Sequence, residues 1–335
     1  MSSIPYQPTN DIPILIAGGG GFIGGWLAKD LRRKGFTDVR LVDVKPIDEW
    51  HQVVPEFQNQ VLDLQLLDDC RIAVRGRTQI FNLAADMGGM GFIENNKAAC
   101  MLSSLINTHL LQAARGEESE RFFFSSSACV YNADKQKDTH VVPLREEDAY
   151  PAIPEDGYGW EKLFSERMVR HFEEDFGIAG RVARYHNVYG PYGTWDGGRE
   201  KAPAAVSRKV AQAVLSGIHT IDIWGDGEQT RSFTYIEDTL HGSELLMWSE
   251  VSEPLNIGSD QLVTINELVS VVERIAGVTL KRNYLLDAPK GVRGRNSDNT
   301  LVMEKLGWAP RISLDEGMEK TYRWIYDQVL MTSRG

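Results

Sequence analysis

Apolar stretches alternate with amphipathic ones through the first half of the chain. Ile12–Ala17, Val39–Val44, Gln79–Ala85, Arg121–Tyr131 and Arg181–Tyr189 read as strands. Several of them are continuously apolar or β-branched, the pattern of strands covered on both faces. Between the first two, Ile23, Trp26, Leu27 and Leu31 share one helical face and Gly35 supplies a stop signal. Strand alternating with helix predicts βαβ units and an α/β fold built on a doubly wound parallel sheet. After about residue 190 the pattern loosens around a Gly-rich loop (Gly193–Gly198), a turn cluster (Trp224–Gln229) and a polar, Arg-rich loop (Lys290–Asn299). This predicts a smaller C-terminal α/β lobe. Residues 11–190 then form mainly one domain and 191–330 mainly the other, with segments interleaved. With no Pro/Ser-rich linker, internal repeat or low-complexity tract between them, the two should pack closely.

Composition narrows the partners. At 335 residues and 42% hydrophobic content the chain can bury a large core. Its 36 Lys and Arg against 47 Asp and Glu leave a net charge of -11, which disfavours nucleic acid, since phosphate neutralisation needs clustered cations. No apolar run approaches the ~18 residues that span a membrane. The polar Met1–Asn10 stretch, with two prolines, does not read as a signal peptide. Cys70, Cys100 and Cys129 have no metal-ligand spacing, so no metal is expected, and an odd cysteine count suits a reducing, cytoplasmic setting.

Ile14–Ala17 runs straight into Gly18-Gly19-Gly20-Gly21-Phe22-Ile23-Gly24, a G-x-x-G-x-x-G between a strand and a helix. Glycine lets a pyrophosphate approach the backbone, where helix N-terminal N–H groups receive it. Asp43 ends the next strand, placed to accept from an adenosine ribose hydroxyl and to repel a 2′-phosphate, so a Rossmann domain taking NAD rather than NADP is expected. Asp63 is a candidate for the adenine edge.

Tyr158-Gly159-Trp160-Glu161-Lys162 is Y-x-x-x-K, which on a helix puts phenol and ammonium on one face. The ammonium is expected to lower the phenol's pKa, so that a tyrosinate takes a hydroxyl proton as hydride leaves. Phe122-Phe123-Phe124-Ser125-Ser126-Ser127 ends in three hydroxyls at a strand's carboxyl end. Ser127 is the candidate partner of the reacting oxygen, while Ser125 and Ser126 are expected to satisfy backbone groups.

Gly18–Gly24, Asn82-Leu83-Ala84-Ala85, Ser127, Tyr158 and Lys162 together resemble an extended short-chain dehydrogenase/reductase. Ala85–Gly91, Ser126–Cys129, Gly197–Ala205, Trp224–Gly227, Gln229–Phe233 and Gly291–Asp298 narrow this, and the chain from Ile12 to Trp324 is similar to the GDP-mannose 3,5-epimerases. Asn132–Val142 and Ala211–Thr220 depart from that family's pattern. The resemblance implies oxidation of a nucleotide sugar at C4 by Tyr158, Lys162 and NAD, then inversion at C3 and C5 by Cys129 as base and Lys201 as acid, either residue being able to serve in both directions. GDP-L-galactose, with GDP-L-gulose, would be the products. A thiol beside an ammonium is expected to ionise more easily, whereas Cys70 and Cys100 read as small buried apolar residues. NAD would meet Gly18, Gly21, Phe22, Ile23, Gly24, Asp43, Asp63, Tyr158 and Lys162. Gly88, Ser127, Cys129, Asn187, Glu200, Lys201, Ala202, Lys209 and Gln229 would meet the sugar nucleotide. Arg231, Arg293 and Arg295 stand in loops where guanidinium forks suit pyrophosphate oxygens. A homodimer through helices near Lys97–Ala114 and Lys162–Phe176 is also implied. Two alternatives stand beside this reading. A nucleotide-sugar 4-epimerase needs no second acid/base pair, and a catalytically silent NAD-binding regulator needs none of the four side chains. A 4,6-dehydratase is disfavoured, because Ala128 and Cys129 occupy the places where it would carry acids.

Overall fold

The computed structural model describes residues 6–289 and 291–333; Met1–Pro5 of the polar N-terminus, Lys290 of the Arg-rich segment and residues 334–335 lie outside the described residues. Among the described residues, β1 (Ile14–Ala17), β2 (Val39–Asp43), β3 (Gln58–Val61), β4 (Gln79–Asn82), β5 (Arg121–Ser127) and β6 (Ala179–Tyr185) lie side by side. Four short strands follow: β7 (Val188–Tyr189), β8 (Thr220–Trp224), β9 (Thr230–Ser232) and β10 (Thr234–Tyr235). The chain then returns to the large sheet with β11 (Leu255–Ile257). The order β11-β6-β5-β4-β1-β2-β3 is parallel throughout, with its direction of winding reversed between β1 and β4. Ligands of such sheets bind at that reversal, outside the strand carboxyl ends.

Helices cover both faces because the strand residues alternate between two apolar layers. Ile14, Ile16, Phe81 and Phe123 face one side, where α1 (Phe22–Arg33) contributes Leu27 and Leu31. Leu15, Ala17, Ile80, Phe122 and Phe124 face the other, against α2 (Leu67–Val74) and, beyond the short α3 (Met90–Asn95), against α4 (Lys97–Gly116) and α5 (Tyr158–Phe176). The first layer runs on without a break into the C-terminal lobe through α6 (Ala202–Ser216), α7 (Ile236–Met247), α8 (Ile265–Ala276), α9 (Thr300–Leu306) and α10 (Leu314–Thr332). The remaining strands are β12 (Leu262–Thr264), β13 (Lys281–Leu285) and β14 (Gly294–Arg295), making a β12-β9-β14 sheet and a β13-β8 pair. One continuous apolar layer joins the large sheet to the C-terminal helices.

Several boundaries differ from the pattern. The strand expected at Gln79–Ala85 ends at Asn82. The one expected at Arg121–Tyr131 ends at Ser127, whose Oγ accepts from the Cys129 N–H at 3.2 Å and starts a 3-10 turn over Ala128–Val130. Arg181–Tyr189 is broken into β6 and β7 by His186 and Asn187, the latter at φ +43. β3 carries no apolar stretch: it is the polar edge strand Gln58-Asn59-Gln60-Val61, paired on one side only. The Arg-rich segment contains β14 and buries Arg295, Asn296 and Ser297, so it is part of the core and not a solvated loop.

Candidate active site

The carboxyl ends of the central strands open on a cavity of about 390 Å³, a size suited to a small ligand. Beside it, with Ile23 in the wall, lies the glycine loop. Gly18 and Gly19 donate to the Val42 carbonyl at 2.8 and 3.0 Å, anchoring the loop to β2. A Cβ on Gly18, at φ +83, would come within 2.9 Å of the Ala84 nitrogen, and one on Gly24 would run into the Gly18 carbonyl oxygen. The loop is therefore as tight as backbone alone permits. Gly21 caps α1 with no side chain, so the first-turn N–H groups, from Phe22 onward, keep no internal partner and suit an anion. Ile23 reaches the cavity wall. Asp43 closes β2, with Oδ1 accepting from the Lys45 N–H at 3.1 Å. Asp63 is tied into a turn just past β3: its Oδ1 accepts from the Gln65 N–H at 2.9 Å, and its own N–H meets Asp69 Oδ2 at 2.8 Å.

Tyr158 opens α5 and Lys162 follows one turn on, both buried. The Lys162 ammonium lies 4.7 Å from the Phe124 ring centroid and 5.5 Å from that of Tyr158, and Glu161 is its ion-pair partner at 3.6 Å. Lowering of the phenol pKa by this lysine is not what the structure displays. Burial, and after it the neighbouring Cys129 and Glu161, hold Tyr158 well above the ordinary phenol range, with a hydrogen bond to Ser127 pulling the other way. The adjacent Glu161 carboxylate shares the field of the ammonium, and burial of the phenol outweighs what remains. Ser125 donates to the Asn82 carbonyl at 3.1 Å as expected. Ser126 does not satisfy a backbone group; it donates to Glu166, which is buried in a 2.7 Å ion pair with Arg184.

Cys129 stands in the turn after β5, and Lys201 at the N-cap of α6; both front the cavity. The expected easy ionisation of the thiol is also overturned. Burial and then the Glu155 carboxylate push Cys129 up to about 11, against the pull of Arg295, whose Nη1 is 3.5 Å from Sγ. Burial holds Lys201 below the usual lysine range. Cys70 and Cys100 are buried free thiols, as expected of packing residues.

Around them, Gly88 and Ala202 form cavity wall. Asn187 also borders it while donating to the Ser232 carbonyl at 2.9 Å. Glu200 pairs with Arg208 at 2.6 Å, Lys209 donates to the Asp222 carbonyl at 2.8 Å and Gln229 to that of Trp224 at 2.8 Å, all on the wall. Arg231 and Arg295 reach the cavity from the adjacent strands β9 and β14. Arg293 does not: it lies just before β14, off the cavity wall, and pairs with Asp226 at 2.9 Å. Sequence reasoning missed Glu155, Gln136 and His186. Glu155 meets Arg295 Nη2 at 3.2 Å, and Gln136 accepts from Arg295 Nε at 2.6 Å. Nothing in the local sequence announces the burial of these side chains, although Glu155 lies only three residues before Tyr158.

The sequence matches the NAD dependent epimerase/dehydratase family over residues 14–258. It is 44% identical to GDP-mannose 3,5-epimerase 1 of Oryza sativa subsp. japonica over 97% of this chain and 84% of that protein. The identity to GDP-mannose 3,5-epimerase of Arabidopsis thaliana is also 44%, over 97% and 85%. A solved UDP-glucose 4-epimerase from Thermotoga maritima, bound to UDP-glucose, superposes with a TM-score of 0.85 over 95% of this chain and 100% of that one; at 24% identity this likeness speaks for the fold.

Proposed function

This chain belongs to the NAD-dependent epimerase/dehydratase family, and from that premise we propose that it converts GDP-mannose to GDP-L-galactose, with GDP-L-gulose, by inversion at C3 and C5. One observation carries the reading: a second acid/base pair, Cys129 and Lys201, fronts the same cavity as Tyr158, Lys162 and Ser127. A 4-epimerase needs only the latter three and leaves Cys129 and Lys201 without work.

The residues present fit NAD. The side-chain-free loop and uncapped start of α1, with Gly18, Gly21, Phe22, Ile23 and Gly24, would take the pyrophosphate. Asp43 would take the adenosine ribose and Asp63 the adenine edge. The Lys162 ammonium, buried with one carboxylate at 3.6 Å, suits the nicotinamide ribose hydroxyls. NAD, when bound, takes up and returns the hydride of C4, and its nicotinium charge favours a tyrosinate. Tyr158 accepts the C4 hydroxyl proton while Ser127 holds the same oxygen. The resulting ketone acidifies the C–H bonds at C3 and C5, since the carbanion at either carbon delocalises as an enolate. Cys129 and Lys201, one on each face of the sugar, then remove and return the protons before Tyr158 gives its proton back at C4. Arg231 and Arg295, with Asn187 and Lys209, would meet the diphosphate, and Gly88, Glu200, Ala202 and Gln229 the sugar. The division of labour follows: residues 11–190 mainly hold cofactor and 191–330 mainly substrate, with segments interleaved.

Incubating the enzyme with GDP-mannose in deuterated water and locating the label by NMR tests this. Deuterium at C3 and C5 of inverted product supports the reading. Inversion at C4 without solvent deuterium puts the 4-epimerase in its place, and bound NAD with no turnover of any sugar nucleotide leaves the silent regulator.

We also infer a homodimer. Met101, Leu102 and Leu105 of α4 and Trp160 and Phe164 of α5 are exposed apolar side chains on two helices packed together, and an apolar patch of this kind marks a contact surface. Light scattering should give twice 37.6 kDa; a monomer mass across a wide concentration range sinks the idea. The three free thiols suit a cytoplasmic location. No helix among the described residues is long and apolar enough to cross a membrane.

A further inference from the structure

Part of the cavity wall is made by two loops that meet backbone to backbone. Residues 87–91 follow β4, and Gly198, Glu200 and Lys201 lead into α6. The Gly89 N–H donates to the Arg199 carbonyl at 2.9 Å, and a Cβ on Gly89 would run into the Glu200 carbonyl oxygen. The side chains that close this seam lie outside the wall. Arg199 Nη1 donates to Asp86 Oδ1 at 2.5 Å, and the same guanidinium stands 3.8 Å from the Phe92 ring centroid. The two charged side chains are 47% and 36% exposed. Each loop is also tied to its own lobe. The Asp86 N–H donates to Ser103 Oγ of α4 at 2.9 Å, while Glu200 pairs with Arg208 of α6 at 2.6 Å. Just before Arg199 the chain reverses at Gly197-Gly198, both at positive φ and with no atom within 4 Å of where a Cβ would stand. The reversal can therefore turn without displacing a neighbour.

We propose that Asp86 and Arg199 are positioning residues: as a latch between the two loops, they keep the sugar nucleotide enclosed for as long as it is a C4 ketone. This rests on the epimerase reading above. Oxidation moves the C4 hydride to NAD and the hydroxyl proton to Tyr158, and the cycle closes only when both return to the same sugar. A ketone that leaves first strands one NADH for each molecule lost, and a protomer holding NADH cannot oxidise a fresh sugar. Inversion at two carbons must fit into that interval, so escape competes with several proton transfers and not with one. The strength of the latch suits this task. A half-exposed ion pair with a stacked guanidinium biases an open–closed balance by roughly tenfold. That is enough to delay escape, and weak enough for substrate to enter and product to leave in every cycle.

Two measurements on the NAD-loaded enzyme test this in Asp86→Asn and Arg199→Gln, with Arg199→Lys as the conservative variant. The first is amide hydrogen exchange without sugar, which reads local opening. Peptides covering residues 87–92 and 198–203 should both exchange about tenfold faster in the two charge-removing variants, and Arg199→Lys should regain most of the protection. Exchange at the wild-type rate in both peptides overturns the proposal. The second counts turnovers of GDP-mannose per NADH left on the protein, read by NADH absorbance after gel filtration and by the ketone recovered in the small-molecule fraction. That ratio should fall by about tenfold, with ketone and stranded NADH in equal amounts. A slower enzyme with an unchanged ratio would make the pair structural only and would also overturn the latch. If wild-type enzyme neither inverts GDP-mannose nor reduces its NAD with it, the substrate reading fails, while the exchange rates still judge the latch.

Discussion

At one end of the cavity the Gly18–Gly24 loop offers backbone alone, held by two hydrogen bonds to a single strand carbonyl and followed by an uncapped helix start. At the other end Cys129, Glu155, Lys201, Arg231 and Arg295 arrive from five separate segments and bury charge against charge. The first end needs no desolvated ion, and its strand, loop and helix start follow one another directly in the chain. The second depends on balance. A buried charge deprived of its counter-ion costs several kcal/mol, so a change at one of these residues alters the protonation of the others. Hence the cofactor end should fail sterically and the substrate end electrostatically.

The largest effect tests where the two ends meet. Tyr158→Phe removes the one hydroxyl that serves both, and turnover should fall by about 10⁴-fold, the upper range for a placed acid/base, with no transient NADH absorbance on mixing with GDP-mannose. A transient of wild-type size would assign the oxidation to another base. Cys129→Ser should keep that transient, yet formation of inverted product should drop by roughly 10²–10³-fold; product at the wild-type rate would make the cysteine a packing residue. Gly24→Ala probes the backbone end. The added methyl meets the Gly18 carbonyl oxygen, so stability should fall by about 1–3 kcal/mol, and co-purified NAD should fall with it. NAD retained at the wild-type level would show that the loop does not hold the pyrophosphate.

The smallest effect is a pH slope. His186 lies between Arg184 and Arg295 in charge terms; it is fully buried, Nε2 is 2.9 Å from Asn256, and burial holds the imidazole down to about 3. The unfolded chain takes up this proton below about pH 6.5, while the folded chain stays neutral. This contribution is therefore complete above 6.5 and is lost as pH falls from there towards 3, by at most about 1.4 kcal/mol per pH unit. His186→Gln should flatten the dependence of the urea midpoint between pH 6.5 and 5 relative to wild type. Equal slopes would mean that the imidazole is protonated in the fold.

The sequence by itself determined whatever rests on near neighbours. Strand, glycine loop and helix from Ile14 to Arg33 follow from composition and spacing, because a tight turn and a one-turn repeat are local properties. The i, i+4 spacing likewise put Tyr158 and Lys162 on one helix face, and the family segments brought Cys129 and Lys201 into view. A signal was also present at Thr264-Ile265-Asn266-Glu267, where threonine and glutamate cap α8 reciprocally before an amphipathic run, although the segment reads as loosely patterned when only strands are sought. β3 was invisible because an edge strand with half its partners needs no apolar residues. Tertiary structure decided the rest. It turned Arg293 outward to Asp226 while Arg295, two residues on, reached Cys129. It brought Glu155 near a thiol 26 positions earlier in the chain, and it buried the ammonium of Lys162 with the Glu161 carboxylate at 3.6 Å. Proton affinities follow distance and burial, which vary over a few ångströms, whereas sequence spacing fixes only which residues are available to meet.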